Sequence, residues 1–268
     1  MAAARDLSPC EVAKVLQFLT LPSRDRWDSA PDGYENKDWY PWRFRRRLSI
    51  AMTPLVALGA EPRDGVVFGA NQLVTSVSYR LEGLEKGYFP AEHFSSDVMR
   101  RYVGETRHRE GHTFAQNVSE LLRELGWLTD VGIQMSSLGA PEELGDIDVL
   151  AWHRTAPRVL IIECKSLIPR GNTYELVEEL LAFRGEASDR LGRHLSRVQW
   201  LTDNRQSLDR YLSNEQGDLA LTPLFVTNRD VPMRYIDTLP ISPDAFCPID
   251  QLRDLVERVA ARHDAAGR

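Results

Sequence analysis

The sequence predicts an α/β protein in which a mixed β-sheet is flanked by helices. Two observations support this class: four apolar runs have the length of buried strands, and segments with apolar residues at helical spacing flank them. From about residue 111 the order is helix, three strands, helix, strand and helix, which is typical of a mixed sheet between helical layers. The predicted strands are Val131–Leu138, Asp146–Trp152, Val159–Lys165 and Leu219–Thr227.

Residues 1–110 are predicted to form a mainly helical N-terminal region, and no motif in them indicates a chemistry. The aromatic-rich stretch Pro22–Pro41 contains several turn residues and is predicted as a loop. The charged segment Gly104–Gly111 is the best candidate for a domain boundary, so we expect a second domain over residues 111–268. The predicted helices of this region are Cys10–Leu19, Leu73–Leu84 and Ser96–Val103.

Helices also accompany the predicted strands in residues 111–268. Gly126 ends the first of them, and Gly185 and Gly192 are expected to interrupt the second. These helical segments are Phe114–Leu125, the longer zone Tyr174–Leu212, and a last helix that Asp250 caps.

Composition narrows the class of protein. A chain of 268 residues with 43% hydrophobic and 27% charged residues is ordinary for a globular protein. No apolar run approaches the ~18 residues of a membrane span, and the N-terminus lacks the apolar stretch of a signal peptide, so we expect a cytoplasmic protein without membrane contact. The three cysteines are widely spaced and fit neither a disulfide nor a zinc pattern. A net charge of −6 leaves room for a local basic surface.

The stretch from Gly145 to Lys165 carries the strongest chemical signal. Residues two apart in a strand share a face, so Glu163 and Lys165 project together from an otherwise apolar run. Asp148 lies in the preceding predicted strand. Because charges in a buried strand are costly unless they are paired, a divalent cation is a natural partner for these carboxylates.

These residue types suit metal-assisted phosphodiester hydrolysis. Asp148 and Glu163 on adjacent strands, about 4.8 Å apart, could hold one Mg²⁺ or Mn²⁺, with the backbone carbonyl of Cys164 as a neutral third ligand. Lys165 would orient or deprotonate the attacking water and stabilise the developing negative charge.

The same residues carry a family resemblance. Gly145-Asp-Ile-Asp-Val-Leu-Ala followed by Val159-Leu-Ile-Ile-Glu-Cys-Lys resembles the core motif of the PD-(D/E)XK nuclease superfamily, whose fold is called restriction-endonuclease-like. It is most similar to the branch containing Holliday-junction resolvases and bacterial repair and defence nucleases. The resemblance covers about residues 111–260 and implies a metal-dependent DNA nuclease that serves repair, recombination or defence against foreign DNA. By this resemblance Asp148 and Glu163 are ligands, Lys165 is catalytic, and a homodimer is a possible assembly.

One departure from the family pattern concerns the helix before the strands. Relatives often carry a further glutamate just after the aromatic that opens this helix, but here Ala115 follows Phe114. Glu120 falls about 140° from the centre of the apolar stripe, so it is expected to face solvent. A site with one metal ion is therefore favoured over a site with two.

Several residues have weaker functional interpretations. Asp146 shares a face with Asp148 and is either a second acid beside the site or, as the simpler interpretation, a turn residue. The candidates for phosphate contacts, and His194 with them, have a simpler interpretation as a solvated charged face, which we favour both for the strand or helix near residue 43 and for the residues after 190. These candidates are Arg43, Arg45, Arg47, Arg197 and Gln199.

Two alternatives to the DNA nuclease stay open. Asp148, Glu163 and Lys165 could form a structural ion pair in a catalytically inactive domain that binds nucleic acid or scaffolds a complex. The other alternative is a nuclease that acts on RNA. Cys164 itself is interpreted as a small core residue, since no histidine has a motif relation to it.

Overall fold

Contacts between residues group the chain into two compact units. The first comprises Met1–Arg107 with Arg170–Glu175, and the second comprises His108–Pro169 with Leu176–Arg268. The assignment of residues 1–110 and 111–268 as functional domains stays a prediction. The structure, a computed structural model, describes residues 8–24, 26, 28–43, 46–59, 64–153, 157–168, 172–213 and 219–258.

The first unit combines helices with a small sheet that was not predicted. Its strands are so short that no alternating pattern can be recognised in the sequence, which is why a mainly helical region was expected. The middle strand pairs in parallel with the first and antiparallel with the third. The elements are helix α1 (Pro9–Leu19), strands β1 (Thr20–Leu21), β2 (Leu55–Ala57) and β3 (Val66–Val67), and helix α2 (Ala70–Glu85).

A single continuous helix, α3, occupies Asp97–Glu124. The prediction of two helices separated at Gly104–Gly111 is therefore wrong. Val103, just before this segment, and Thr106, within it, are buried, so the inward-facing stripe continues, and the charged residues occupy the other side of the helix. The division between the two units falls within α3.

The second unit is built on a five-stranded mixed sheet with the order β4-β5-β6-β7-β8. The pairs β4–β5 and β5–β6 are antiparallel, whereas β6–β7 and β7–β8 are parallel. Strand β6 therefore lies at the centre of the sheet. The strands are β4 (Leu128–Gln134), β5 (Asp146–Trp152), β6 (Arg158–Lys165), β7 (Ala220–Thr227) and β8 (Phe246–Pro248).

The first strand of this sheet begins and ends earlier than predicted. Gly126, with φ of +87°, ends α3, and β4 starts only two residues later. The residues Met135–Leu138, which were predicted to complete the strand, instead form a 3-10 turn. The other three predicted strands match β5, β6 and β7 to within a residue.

Three helices replace the predicted helical zone after β6. They are α4 (Thr173–Leu181), α5 (Arg190–Asp203) and α6 (Arg205–Leu212). Gly185 lies in the break before α5 with φ of +89°, as expected, but Gly192 does not interrupt the helix. Its N–H donates to the side chain of Asp189, the residue that caps α5, at 2.7 Å.

Both faces of the large sheet are covered. On one face, residues from α3 and from the helical segment 252–258 pack on alternate residues of β5 and β6. On the other face, residues from α5 and α6 pack on the intervening residues. The mixed α/β class is thereby confirmed, and the equivalence with a restriction-endonuclease-like fold stays a prediction. The first face contains Ala115, Val118, Leu122, Val149, Leu160, Ile162, Leu252 and Val256, and the second contains Val159, Ile161, Leu201 and Leu208.

Replacing Gly104 by alanine tests the continuity of α3. Gly104 is exposed, and a Cβ added there meets nothing within 4 Å. We expect Gly104→Ala to raise the free energy of unfolding by about 0.5–1 kcal/mol, because alanine loses less backbone entropy than glycine in a helix. Urea unfolding followed by circular dichroism would measure this change.

The matched control is Gly126→Ala, which places a side chain at a left-handed position and should destabilise the protein. An unchanged stability of Gly104→Ala would contradict a helix through residue 104.

Candidate active site

Asp148 and Glu163 lie opposite each other on adjacent antiparallel strands. The last pair between β5 and β6 joins Val149 to Ile162, and one further step places the two acids side by side. The backbone N–H of Cys164 donates to Oδ2 of Asp148 at 2.7 Å. The carboxylate of Asp148 is thereby fixed against the backbone of β6.

Glu163 and Lys165 project to the same face of β6, as strand alternation predicts. Nζ of Lys165 lies 2.6 Å from Oε1 of Glu163. Glu163 is only 7% exposed, whereas 27% of the Lys165 side chain is accessible to solvent. The three residues singled out from the sequence, Asp148 on β5 and Glu163 and Lys165 on β6, therefore converge, and Lys165 is more exposed than Glu163.

Arg197 on α5 supplies a second cation to Glu163. Its Nη1 lies 2.6 Å from Oε2 of Glu163, and its Nε donates to the carbonyl of Leu144 at 2.7 Å. Arg197 is 8% exposed, so its guanidinium is held between the turn before β5 and the centre of the sheet. Gly145, with φ of +70°, forms that turn, and its own carbonyl accepts from the N–H of Met135 at 2.8 Å.

His194 completes the surroundings of Glu163 from the preceding turn of α5. Its Nδ1 lies 4.0 Å from Oε2 of Glu163, and its ring meets the ring of Phe225 edge-on at 4.7 Å. Nε2 of His194 is buried without a hydrogen-bond partner among the described residues. Burial lowers the pKa of His194 to about 4, so the ring is neutral at physiological pH.

The two acids have opposite electrostatic environments. Burial, followed by the nearby charge of Glu163, raises the pKa of Asp148 to about 6. Burial alone would also raise the pKa of Glu163, but the charges of Lys165 and Arg197 outweigh it and hold that pKa below its ordinary value. Glu163 is therefore the permanently ionised member of the pair, and Asp148 accepts a proton more readily.

The burial of α5 residues corrects one part of the sequence interpretation. A solvated helix face was favoured for His194, Arg197 and Gln199, but His194 and Arg197 are buried, and only Gln199 is exposed. Gln199 donates to the side chain of Asp203 at 2.8 Å. The signal that could have placed His194 inside is its spacing of three from Leu191 and seven from Leu201, which continues an apolar stripe.

The arginine cluster near residue 43 belongs to the first unit. Arg43 and Arg47 lie outside helices and strands, so the expected strand or helix face does not form there. The guanidinium of Arg47 stacks over the ring of Tyr34 at 4.5 Å, and that of Arg43 lies 5.8 Å from the ring of Tyr174. Arg45 lies outside the described residues, and a phosphate-binding role for this cluster stays a prediction.

The structure also places four other residues that the sequence analysis discussed. Asp146 is the first residue of β5, paired with Gln134, so the interpretation as a turn residue is wrong. Cys164 is 7% exposed and packs in the core, and burial raises the pKa of its thiol. Ala115 is buried in the same core cluster, and Glu120 is exposed, as predicted. The α3 helix therefore contributes no carboxylate to the site.

The donor atoms at this site suit a hard divalent cation. The carboxylates of Asp148 and Glu163 are oxygen ligands of the kind that Mg²⁺ and Mn²⁺ prefer. Within the described part of the chain, no group of three or more histidine, cysteine, aspartate or glutamate side chains has a metal-binding arrangement. Side chains would thus supply two ligands, and the backbone of Cys164 and water would supply the others.

Comparison with known families matches residues 2–246 to the model of the family described as "Anti-phage protein Upx-like". The chain belongs to this family. Because the match includes most of both units, it applies to the protein as a whole, and it indicates a role in defence against phage. The curated proteins contain no match to the chain, and the solved structures contain none either. In the parts of the chain that the structure describes, no helix is sufficiently long and apolar to span a membrane.

The raised pKa of Asp148 predicts a pH-dependent stability. This carboxyl keeps its proton to about pH 6 in the folded protein, against an ordinary value of 3.8. The protonated Asp148 carboxyl is compatible with the folded protein, so the stability is highest below the ordinary pKa of 3.8. This stability is lost as the pH rises through 6, because the buried carboxyl must then ionise. The neutral substitution Asp148→Asn should therefore make the protein about 1–3 kcal/mol more stable than wild type near pH 8, with the difference vanishing near pH 4.

Urea unfolding at a series of pH values, with a chelator present, would measure this difference. Asp146→Asn is the matched control, because it removes a carboxylate from the same strand. An equal pH-dependent gain in both variants would show an effect of overall charge and not of the buried position of Asp148.

Proposed function

We propose that this anti-phage family member is a Mg²⁺-dependent nuclease that hydrolyses phosphodiester bonds of foreign DNA. The observation that carries the proposal is the convergence of two carboxylates and one lysine at one place on the central strands. Lys165 contacts Glu163 at 2.6 Å, and the N–H next to Glu163 binds Asp148 at 2.7 Å. These are the groups that metal-assisted hydrolysis of a phosphodiester requires.

Each residue has a separate role in this proposal. Asp148 and Glu163 hold the cation, together with the carbonyl of Cys164. When bound, the cation supplies charge relief at the phosphate and a more acidic water. Lys165, which is more exposed than Glu163, orients the attacking water and stabilises the negative charge that develops on the phosphate.

Family membership supports a role of the proposed nuclease in defence. Repair, recombination and defence were all compatible with the sequence motif, and the anti-phage family favours defence. Cleavage of the invading nucleic acid is the activity that best fits a protein that acts against phage and carries two carboxylates and a lysine at one site. DNA is the proposed partner, while assembly as a homodimer rests on the superfamily resemblance alone.

One observation favours a second candidate, a catalytically silent domain that binds nucleic acid or scaffolds a complex. Both carboxylate oxygens of Glu163 contact a cationic side chain, at 2.6 Å each. A buried carboxylate with two such partners is also what a purely structural ion network would contain. Calorimetric titration of the wild-type protein with Mn²⁺ separates the two, because only the nuclease needs to bind the ion.

Replacing Lys165 by alanine is the direct test of the proposed reaction. We expect Lys165→Ala to reduce nicking or cutting of plasmid DNA in Mg²⁺ or Mn²⁺ by at least about 10²-fold, because a preorganised charge at the reacting phosphate is lost. Gel electrophoresis of the products measures cleavage, and circular dichroism checks that the variant remains folded.

Lys86→Ala is the matched control, since Lys86 makes an exposed ion pair with Glu82 in the first unit and should leave cutting unchanged. Full activity of Lys165→Ala would remove Lys165 from the mechanism. A folded wild type that cuts neither DNA nor RNA would overturn the nuclease.

The choice between DNA and RNA needs a panel of substrates at equal concentration. We expect cleavage of double- or single-stranded DNA to exceed cleavage of an RNA of the same sequence. Faster cleavage of the RNA would show that the protein is an RNA nuclease and would leave the proposed roles of Asp148, Glu163 and Lys165 unchanged.

A further inference from the structure

Arg197, like its neighbour His194, is a residue at the site whose presence the proposed reaction does not explain. It is a permanent cation, it is 8% exposed, and it lies on the oxygen of Glu163 opposite to the one that Lys165 contacts. We infer that Arg197 is a positioning residue that competes with the divalent cation for Glu163 and so sets the metal affinity of the site. This inference rests on the proposed function, because it needs a cation to bind there.

The contacts of Glu163 show why competition follows. Nζ of Lys165 is 2.6 Å from Oε1, and Nη1 of Arg197 is 2.6 Å from Oε2. Neither oxygen is free of a cationic contact. A divalent cation that binds Glu163 must therefore displace one of these contacts or accept a positive charge within a few ångströms.

The two competing cations differ in their freedom to move. The Lys165 side chain is 27% exposed and flexible, so its ammonium can turn towards solvent when a cation enters. The Arg197 guanidinium is anchored a second time, through Nε to the carbonyl of Leu144 at 2.7 Å. It is also buried, so it remains beside Glu163 and repels an incoming cation in a region of weak screening.

Formal charge explains what Arg197 contributes to the metal-free protein. When both are ionised, the carboxylates of Asp148 and Glu163 are balanced by Lys165 and Arg197. A cation entering this balanced group creates a net positive charge, which the phosphate of a nucleic acid would neutralise. Arg197 therefore disfavours the cation most strongly when no phosphate is present.

The substitution Arg197→Gln tests this role without relying on cleavage. We expect the dissociation constant for Mn²⁺, measured by calorimetry in the absence of DNA, to fall about tenfold or more. The melting temperature without metal should also fall, because Glu163 and Leu144 lose a partner, and added Mn²⁺ should raise it more than in wild type. A merely structural role would lower the melting temperature and leave the affinity for Mn²⁺ unchanged.

Two matched substitutions sharpen the result. Arg193→Gln removes an exposed arginine from the same helix and should leave the affinity for Mn²⁺ at the wild-type value. Arg197→Lys keeps the positive charge near Glu163, so its affinity should lie much closer to wild type than that of Arg197→Gln. An equal gain in affinity in Arg193→Gln would overturn the inference, because the effect would then come from the overall charge.

A measurement on the wild type covers the case in which Arg197→Gln does not fold. Titration with diamagnetic Mg²⁺, followed through the guanidinium NMR signals, should shift the signals of Arg197, because the cation binds beside a guanidinium that stays in contact with Glu163. Unshifted Arg197 signals at saturating Mg²⁺ would overturn the inference.

The outcomes also separate this inference from the proposed function. A wild type that binds Mn²⁺ and cuts DNA, with unchanged affinity in Arg197→Gln, would refute the competition and keep the nuclease. Absence of binding in both proteins would refute the metal site and the competition with it.

Discussion

The burial of one carboxylate, that of Glu163, is the constraint on which the second unit depends. An ionised carboxylate at the centre of a sheet costs several kcal/mol unless charged partners surround it, and loss of one partner of a buried pair costs about 3–5 kcal/mol. Lys165 satisfies one oxygen from the same strand, and Arg197 satisfies the other from α5. Arg197 in turn requires the turn at Gly145, whose neighbour Leu144 accepts its second hydrogen bond. The side chain of Arg197 thus fixes the positions of α5, the turn before β5, and β6 relative to one another.

Those features of the site that depend on local residue spacing could be predicted from the sequence. The positions of β5 and β6, the shared face of Glu163 and Lys165, and the outward position of Glu120 all follow from local spacing. The partner of Glu163 on α5 could not be predicted in this way. An arginine within a helix is normally solvated, and only a tertiary contact 34 residues away in sequence reverses that preference.

Predictions failed elsewhere for two other physical reasons. The strands of the first unit contain two or three residues, so their pairing depends on contacts between distant segments and leaves no periodic trace. The charged segment Gly104–Gly111 suggested a break between two helices, but the space around both glycines is open, and a helix tolerates such residues when its buried side is continuous. Composition alone does not distinguish a linker from the exposed side of a helix.

The continuity of α3 has a consequence for how the protein can be divided. A fragment that begins at residue 111 would start about half-way along this helix of roughly eight turns, where uncapped N–H groups would replace hydrogen-bonded ones. A fragment that retains the whole helix must instead begin before Asp97 and would carry part of the first unit with it. The family match likewise spans residues 2–246, which includes residues of both units. Recombination or truncation between the units would therefore cut through a shared structural element, so the two units are best inherited and expressed as one polypeptide.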